Sequence, residues 1–173
     1  GVSRYSSCLT KSLIENKIDL SIIAPIYKNI YIKNIKKLKI HGLYLSRYPN
    51  LKILRKINNR LVEIYKDNLN ADIIHDSYYP ESYNKSSKKK IMTVHDTIHE
   101  KFNDIYKTDY ISIRKKIIKN IDLFICVSQN TKDDFIKYYN ISEDRVFVIP
   151  HGHEHLKDVV NYNISNNKMF NKP

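Results

Sequence analysis

The sequence has little glycine and cysteine, no tryptophan and no long apolar run. Its 3 glycines form neither a GxGxxG nor a Walker pattern, which excludes the common glycine-rich phosphate loops. The 2 cysteines, Cys8 and Cys126, lie far apart without CxxC spacing, and this indicates free thiols in a reduced compartment. No apolar stretch approaches the roughly 18 residues that cross a bilayer, and no signal pattern is visible. We therefore expect a cytoplasmic protein, soluble or bound peripherally at the inner face of the plasma membrane.

Acidic residues are also scarce: 18 Asp and Glu stand against 30 Lys and Arg, a net charge of +12. Much of the excess lies between Lys28 and Lys66, opposed only by Glu63. A basic face of this kind favours anionic partners, such as nucleic acid, anionic lipid or phosphorylated substrates. The cations that form it are Lys33, Lys36, Lys37, Lys39, Arg47, Lys52, Arg55, Lys56 and Arg60.

The remaining composition, 42% hydrophobic and 28% charged, is typical of a globular domain. Strand-like runs alternate with helical periodicity, and this alternation predicts an α/β fold, a Rossmann-like, doubly wound parallel sheet with helices on both sides. The predicted helices span residues 5–16, 50–69, 110–120 and 129–140, and the predicted strands span 17–25, 71–77, 90–96, 121–128 and 144–152.

Three predicted strands end in polar residues, in the stretches IIHDSYYP, TVHDTIHE and ICVSQNT. Ligands of open parallel sheets bind beyond the carboxyl ends of the strands. Polar residues also end strands simply because the chain leaves the core, but three such ends together favour a common cleft. The residues that we expect to line it are His75, Asp76, Tyr78, His95, Asp96 and Ser128.

Two histidine clusters raise the question of a metal. His95 and His99 straddle a strand end, where four-residue spacing does not converge, and the HExxH order is absent. In HGHEH, residues 151–155, alternate histidines would share one face of an extended chain, but a solvated linker is the favoured interpretation. We therefore expect no metal and no other cofactor.

The first residues, GVSRY, place a glycine directly before a predicted helix. The N–H groups at a helix N-terminus and the helix dipole favour a phosphate. This feature supports a binding cleft without identifying its ligand.

Taken in order, GVSRY, ADIIHDSYYPES, KKIMTVHDTIHEKF and IKNIDLFICVSQNTKDDFIKYYNISEDRVFVIPHGHEH resemble the N-terminal, acceptor-binding domain of a retaining GT-B glycosyltransferase of family 4. The final stretch is the most specific. The resemblance implies a domain over residues 1–150 that starts after the family's first strand. It also implies that residues 151–173 are an interdomain linker, and that a C-terminal donor domain is absent from this partial chain.

The resemblance also implies roles for individual residues. Gly1, with Ser3 beside it, matches the glycine loop that approaches the donor phosphate. His95 matches the histidine beside the reacting sugar, Asp96 follows it, and Ser128 matches the serine of the VS motif. In such enzymes the leaving diphosphate helps to deprotonate the acceptor, so His95 is expected to orient and stabilise rather than act as a base. Gly152 and Glu154 stand at an interdomain position, where many relatives have Gly-Val-Asp.

The expected partners are a nucleotide-sugar donor, a glycan or lipid-linked acceptor and an anionic membrane surface. The complete enzyme would be a hexosyltransferase of cell-surface polysaccharide synthesis, and this chain alone would be inactive. Two alternatives stay open. One is a basic nucleic-acid-binding module, although an RNP-type aromatic pattern, a KH loop and zinc spacing are all missing, so nucleic acid is not an expected partner. The other is a non-enzymatic interaction domain, if the chain is naturally this short.

Overall fold

The computed structural model describes residues 1–47, 51–80, 88–106 and 109–152. Strands alternate with helices along these residues, as predicted. In chain order the elements are α1 (Val2–Glu15), β1 (Ser21–Tyr27), α2 (Ile30–Lys33), β2 (Lys39–Tyr44), α3 (Leu51–Asn68), β3 (Ile73–Asp76), β4 (Lys89–Val94), α4 (Ile98–Lys101), α5 (Tyr110–Ile118), β5 (Leu123–Cys126), α6 (Gln129–Tyr139) and β6 (Val146–Val148).

The described strands pair in parallel, which confirms the predicted α/β class. A two-stranded sheet has the order β1-β2, and a four-stranded sheet has the order β3-β4-β5-β6. The prediction of one continuous sheet differs from this arrangement, because β1 and β3 are not hydrogen-bonded neighbours in the described part of the chain. Alternation of elements in a sequence gives the class of sheet but does not say which strands pair.

The core lies on one face of the four-stranded sheet. Met92 and Val94 of β4 and Phe124 and Cys126 of β5 are completely buried there. The Phe124 ring lies 5.0 Å from that of Phe135 in α6, so helices cover this face. Cys126 is therefore a buried free thiol, as its place in the apolar run 121–128 predicts.

The opposite face of the same sheet is covered less evenly. Thr93 of β4 is buried, and its hydroxyl lies 3.0 Å from the hydroxyl of Tyr5 in α1. Leu123 of β5, by contrast, is exposed. The nearly continuous apolar run at residues 121–128 predicts a strand covered on both faces. This is wrong at the amino end of β5, because α1 reaches the sheet near the carboxyl end of β4.

Proline does not end β1 as predicted. β1 continues through Pro25 to Tyr27, with a register shift between Ile23 and Ile26. A bulge tolerates proline because the missing N–H is not needed for the ladder there. Opposite the bulge, a Cβ on Gly42 of β2 would lie 1.7 Å from the Ala24 carbonyl oxygen, so glycine permits the close approach of the two strands.

The basic segment between Lys28 and Lys66 forms several elements. Its described residues are divided among α2, β2 and α3, and α2 buries Ile32. α3 instead exposes three isoleucines, Ile53, Ile57 and Ile64, at 57%, 45% and 48% of their surface. At 100° per residue these positions fall on one narrow stripe of the helix.

Local signals set the helix ends. Ser128 caps α6 by accepting a hydrogen bond from the Thr131 backbone N–H at 3.2 Å, and Asn140 ends it in the left-handed conformation. The first turn of α6 contains no acidic residue. α1 begins at Val2 rather than Tyr5, directly after Gly1, whose carbonyl accepts from the Arg4 N–H.

Candidate functional site

The carboxyl ends of β3 to β6 meet at one edge of the four-stranded sheet, because all four strands are parallel. In register, Cys126 of β5 lies between Val94 of β4 and Val148 of β6. The residues that leave these strands therefore approach one another in space although they are far apart in sequence.

His95 is the first residue after β4, and both of its ring nitrogens are engaged. Nε2 lies 2.8 Å from the Ser77 carbonyl oxygen, which can only accept, so Nε2 carries the proton. Nδ1 lies 3.3 Å from Nε2 of His151. In the neutral His95 ring Nδ1 must accept, so the His151 N–H donates.

Aromatic rings surround this histidine. The Tyr5 ring meets His95 edge-on at 5.0 Å and His151 at 4.8 Å. The Tyr78 ring is nearly parallel to His95 at 6.3 Å and is itself exposed. These rings line the edge of the sheet with an apolar, polarisable surface, and the hydroxyl group of each tyrosine can form hydrogen bonds.

Beneath His95, a hydrogen-bonded chain links β3, β4 and α1. The Thr93 hydroxyl lies 2.8 Å from Nε2 of His75 and 3.0 Å from the Tyr5 hydroxyl. Burial lowers the pKa of His75, and the charge of Asp76 opposes this effect only in part. His75 is therefore a neutral, largely buried member of the network that positions Tyr5.

Asp76 points to the other side of β3, as the alternation of strand side chains requires. Its carboxylate forms an ion pair of 3.2 Å with Nζ of Lys66, a buried lysine at the end of α3. Glu63 lies 3.7 Å from the same nitrogen. The structure thus places Asp76 in a contact between α3 and the sheet, apart from His95.

The side chains of Asp96 and Ser128 also accept hydrogen bonds from backbone N–H groups close to them in sequence. The Asp96 carboxylate accepts from the Ile98 N–H at 3.2 Å, and the Ser128 hydroxyl caps α6. Both lie at the same edge of the sheet, but the hydrogen bonds described for their side chains do not involve His95. Their expected role in substrate binding stays a prediction.

The remaining predicted residues lie near the ends of the described chain. Gly1 caps α1 through its carbonyl, and the Ser3 carbonyl accepts from the Asn29 amide at 3.1 Å. Gly152 is exposed, with room for a side chain. Glu154 lies outside the described residues.

His99 does not belong to the His95 site, and it lies in helix α4. Its ring contacts Tyr110 at 4.3 Å, and Nδ1 lies 3.5 Å from Nη2 of Arg114. Across the described ranges no three His, Cys, Asp or Glu side chains are grouped so as to hold a metal ion. The absence of a cofactor stays an expectation.

A second polar cluster lies in the core beside α4. The Oε1 atom of Glu100 accepts from both the Arg114 guanidinium and the Tyr139 hydroxyl. The guanidinium also lies over the Tyr79 ring, 3.8 Å from its centroid. These contacts join α4 to α5, to α6 and to the segment that follows β3.

Sequence reasoning missed four contributors to the edge: Tyr5, Ser77, Thr93 and His151. The Ser77 contribution is a backbone carbonyl, which no side-chain pattern reveals. Tyr5 and Thr93 resemble ordinary packing residues of a helix and a strand. His151 was visible in HGHEH, but the favoured interpretation as a solvated linker overlooked its contact with His95.

A parallel α/β sheet that gathers aromatic and histidine side chains at its carboxyl edge defines a Rossmann-like ligand-binding domain. The family model for Glycosyltransferase Family 4 matches residues 1–155, and the chain belongs to that family. This finding confirms the resemblance and supports glycosyl transfer as the class of activity. A search of curated proteins gave no significant match.

Proposed function

We propose that this chain is the acceptor-binding part of a retaining hexosyltransferase, which moves a sugar from a nucleotide-sugar donor to a glycan or lipid-linked acceptor in cell-surface polysaccharide synthesis. The observation that carries the proposal is the position of His95, held by the Ser77 carbonyl at the carboxyl edge. The match of the chain to Glycosyltransferase Family 4 supports the same conclusion.

The role of His95 follows from its hydrogen bonds. Because Nε2–H is donated to Ser77 and Nδ1 accepts from His151, the neutral ring has no lone pair available to remove a proton. His95 in this arrangement orients the reacting sugar and stabilises charge that develops beside it. Tyr78 offers an exposed ring on which the apolar face of a sugar can pack.

We expect turnover to require a donor-binding domain as well, because the family resemblance puts the donor between two domains. By itself the 173-residue chain would bind a sugar nucleotide weakly and turn over none. No metal is needed in this scheme, since the donor enters as a substrate.

The test uses the complete coding sequence and measures release of nucleoside diphosphate from a panel of sugar nucleotides with candidate acceptors. His95→Ala should lower kcat by about 100-fold, the loss typical of removing one group that stabilises a transition state. His99→Ala is the matched control, because it removes a histidine outside the site, and it should retain activity. Turnover of the His95→Ala enzyme at the wild-type rate would contradict the proposal.

We also propose that the chain acts peripherally at the cytoplasmic face of an anionic membrane. The support is the α3 stripe, in which Ile53, Ile57 and Ile64 are exposed beside the exposed cations Lys56 and Arg60. An apolar stripe bordered by cations is suited to the boundary between headgroups and acyl chains. In the described part of the chain no helix is long and apolar enough to cross a bilayer.

Liposome co-sedimentation tests this second proposal. Each cation near an anionic surface contributes about 1 kcal/mol, so Lys56→Glu with Arg60→Glu should weaken binding strongly. Lys115→Glu with Lys116→Glu changes the same charge on the exposed side of α5 and should leave binding nearly unchanged. Equal sedimentation with neutral and anionic vesicles would contradict membrane binding, and tight, salt-sensitive binding to RNA would favour the nucleic-acid alternative.

A further inference from the structure

His95 and His151 lie side by side with nearly parallel ring planes. Their ring planes differ by 9° and their centroids are 5.3 Å apart, whereas Nδ1 of His95 and Nε2 of His151 are only 3.3 Å apart. Rings packed face to face would not leave the centroids so much farther apart than the nearest nitrogens. The contact is therefore an in-plane hydrogen bond between two imidazoles.

We propose that His151 is a positioning residue for His95 and that the hydrogen-bonded pair takes up a single added proton. The purpose of this pair rests on the proposed function: a positive charge at the carboxyl edge would favour the anionic diphosphate of a sugar nucleotide. The hydrogen-bonding relation itself does not depend on that function.

The direction of the hydrogen bonds explains why the pair takes up only one added proton. The Ser77 carbonyl keeps a proton on Nε2 of His95, so Nδ1 accepts from His151. A first added proton can go to the outer Nδ1 of His151, and this strengthens the bond by placing charge on its donor. A second would have to sit on Nδ1 of His95, directly against the His151 N–H, and would break the contact.

The backbone holds His151 in place for this role. The Ile149 N–H donates to the Cys126 carbonyl at 2.9 Å, which extends the sheet to within two residues of His151. Pro150 then restricts the backbone between them. Tyr5 touches both imidazoles edge-on and limits their rotation. The ring of His151 is thus directed at His95 by the end of β6 and by α1.

The groups that face the pair come from several elements. Tyr5 belongs to α1 and Tyr78 follows β3, and the pKa of His151 is lowered by burial and by the charge of His95. The two tyrosines are neutral near pH 7. Among the described groups that contact the two imidazoles there is therefore no carboxylate. The charge of the pair is determined by the protons on its own two rings.

The experiment follows the imidazole nitrogens of the ¹⁵N-labelled 173-residue chain by NMR through a pH titration. In the wild type, His95 should show a protonated Nε2 and a hydrogen-bonded Nδ1. The bond should persist through the first titration step and disappear in a second, well-separated step, as expected of coupled sites. His151→Leu keeps the bulk and removes the donor, so the hydrogen-bonded signature of Nδ1 should vanish.

The His151→Gln variant distinguishes two roles of His151, the positioning of His95 and the uptake of the first proton. Its amide N–H can restore the bond to Nδ1, but it cannot take up the first proton, so the signature should return and the first step should be lost. His99→Gln removes a histidine outside the site and should leave the His95 signals unchanged.

The proposal is wrong if the Nδ1 resonance of His95 is the same in the wild type and His151→Leu, or if His95 titrates identically in the wild type and both variants. Should His151→Leu not fold, the titration of His151→Gln decides alone. In the complete enzyme, the pH profile of kcat should also shift with His151→Gln. A complete enzyme that transfers no sugar would contradict the proposed function, while the spectra would still decide the relation of the two histidines.

Discussion

Glu100 and Arg114 form an ion pair that is almost entirely removed from water. The residues are 3% and 5% exposed, and the Tyr139 hydroxyl donates to the same carboxylate oxygen as the guanidinium. Removing one partner of a buried pair leaves the other charge without compensation, whereas replacing both is often nearly neutral.

We therefore expect a strongly non-additive double-mutant cycle for this pair. Glu100→Gln and Arg114→Met should each lower the free energy of unfolding by about 3 kcal/mol. The double variant should lose much less than the sum, because neither charge is then left buried alone and Gln still accepts from Tyr139. Urea denaturation measures all four proteins, and additive losses would contradict this account of the cluster.

The stability of the chain should fall as the solution becomes acidic. Burial lowers the pKa of His75 from its ordinary 6.5, and burial also lowers that of His151. Below about pH 6.5 the unfolded chain therefore binds more protons than the folded chain, so the contribution is complete above that pH and is lost as the pH falls through the folded-state values. His75→Gln should flatten this dependence in urea unfolding series, whereas His99→Gln should not.

The two cysteines should differ sharply in reactivity. Burial raises the pKa of the Cys126 thiol to about 12, whereas Cys8 is exposed on α1. Because the thiolate is the reactive form, iodoacetamide at pH 8 should modify Cys8 alone in the native chain. Mass spectrometry of the Cys8→Ser variant should then show no labelling until urea is added, and rapid labelling of native Cys126 would contradict the packing of β5.

Gly42 should tolerate no side chain. A Cβ at this position would lie 1.7 Å from the Ala24 carbonyl oxygen, and backbone atoms cannot move aside as a flexible side chain can. Gly42→Ala should lower the free energy of unfolding by about 1–3 kcal/mol, the usual range for overpacking. Gly152→Ala is the matched control, since nothing lies within 4 Å of its added Cβ, and equal stability of the two variants would show that the strands can separate freely.

Periodicity in the sequence was sufficient to predict the class of fold and most elements. Helices α3 and α6 and strands β3 to β5 lie within two or three residues of their predicted bounds, because each has an apolar pattern of its own. Strand pairing was not predictable in the same way. The register shift that admits Pro25 depends on Gly42 in another strand, and a local pattern contains no information about that neighbour.

In the candidate site, too, features set by local sequence were predictable, whereas contacts between distant segments were not. The sequence predicted polar residues at the carboxyl edge, but it could not separate His95 from Asp96 and Ser128, because acids and serines also begin helices. His151 was missed since its contact with His95 spans 56 residues of sequence. Only the parallel pairing of β4, β5 and β6 brings those two segments together.

The order β3-β4-β5-β6 also has a consequence for how the four-stranded sheet folds during synthesis. Each strand pairs with the strand that follows it in the chain. A newly synthesised strand can therefore pair at once with the strand made before it. No later segment has to be inserted between two strands that are already paired. Assembly in the direction of translation is compatible with this topology, and short loop closures favour rapid folding. The imidazole pair is completed last, because His151 leaves the ribosome only after all four strands have been made.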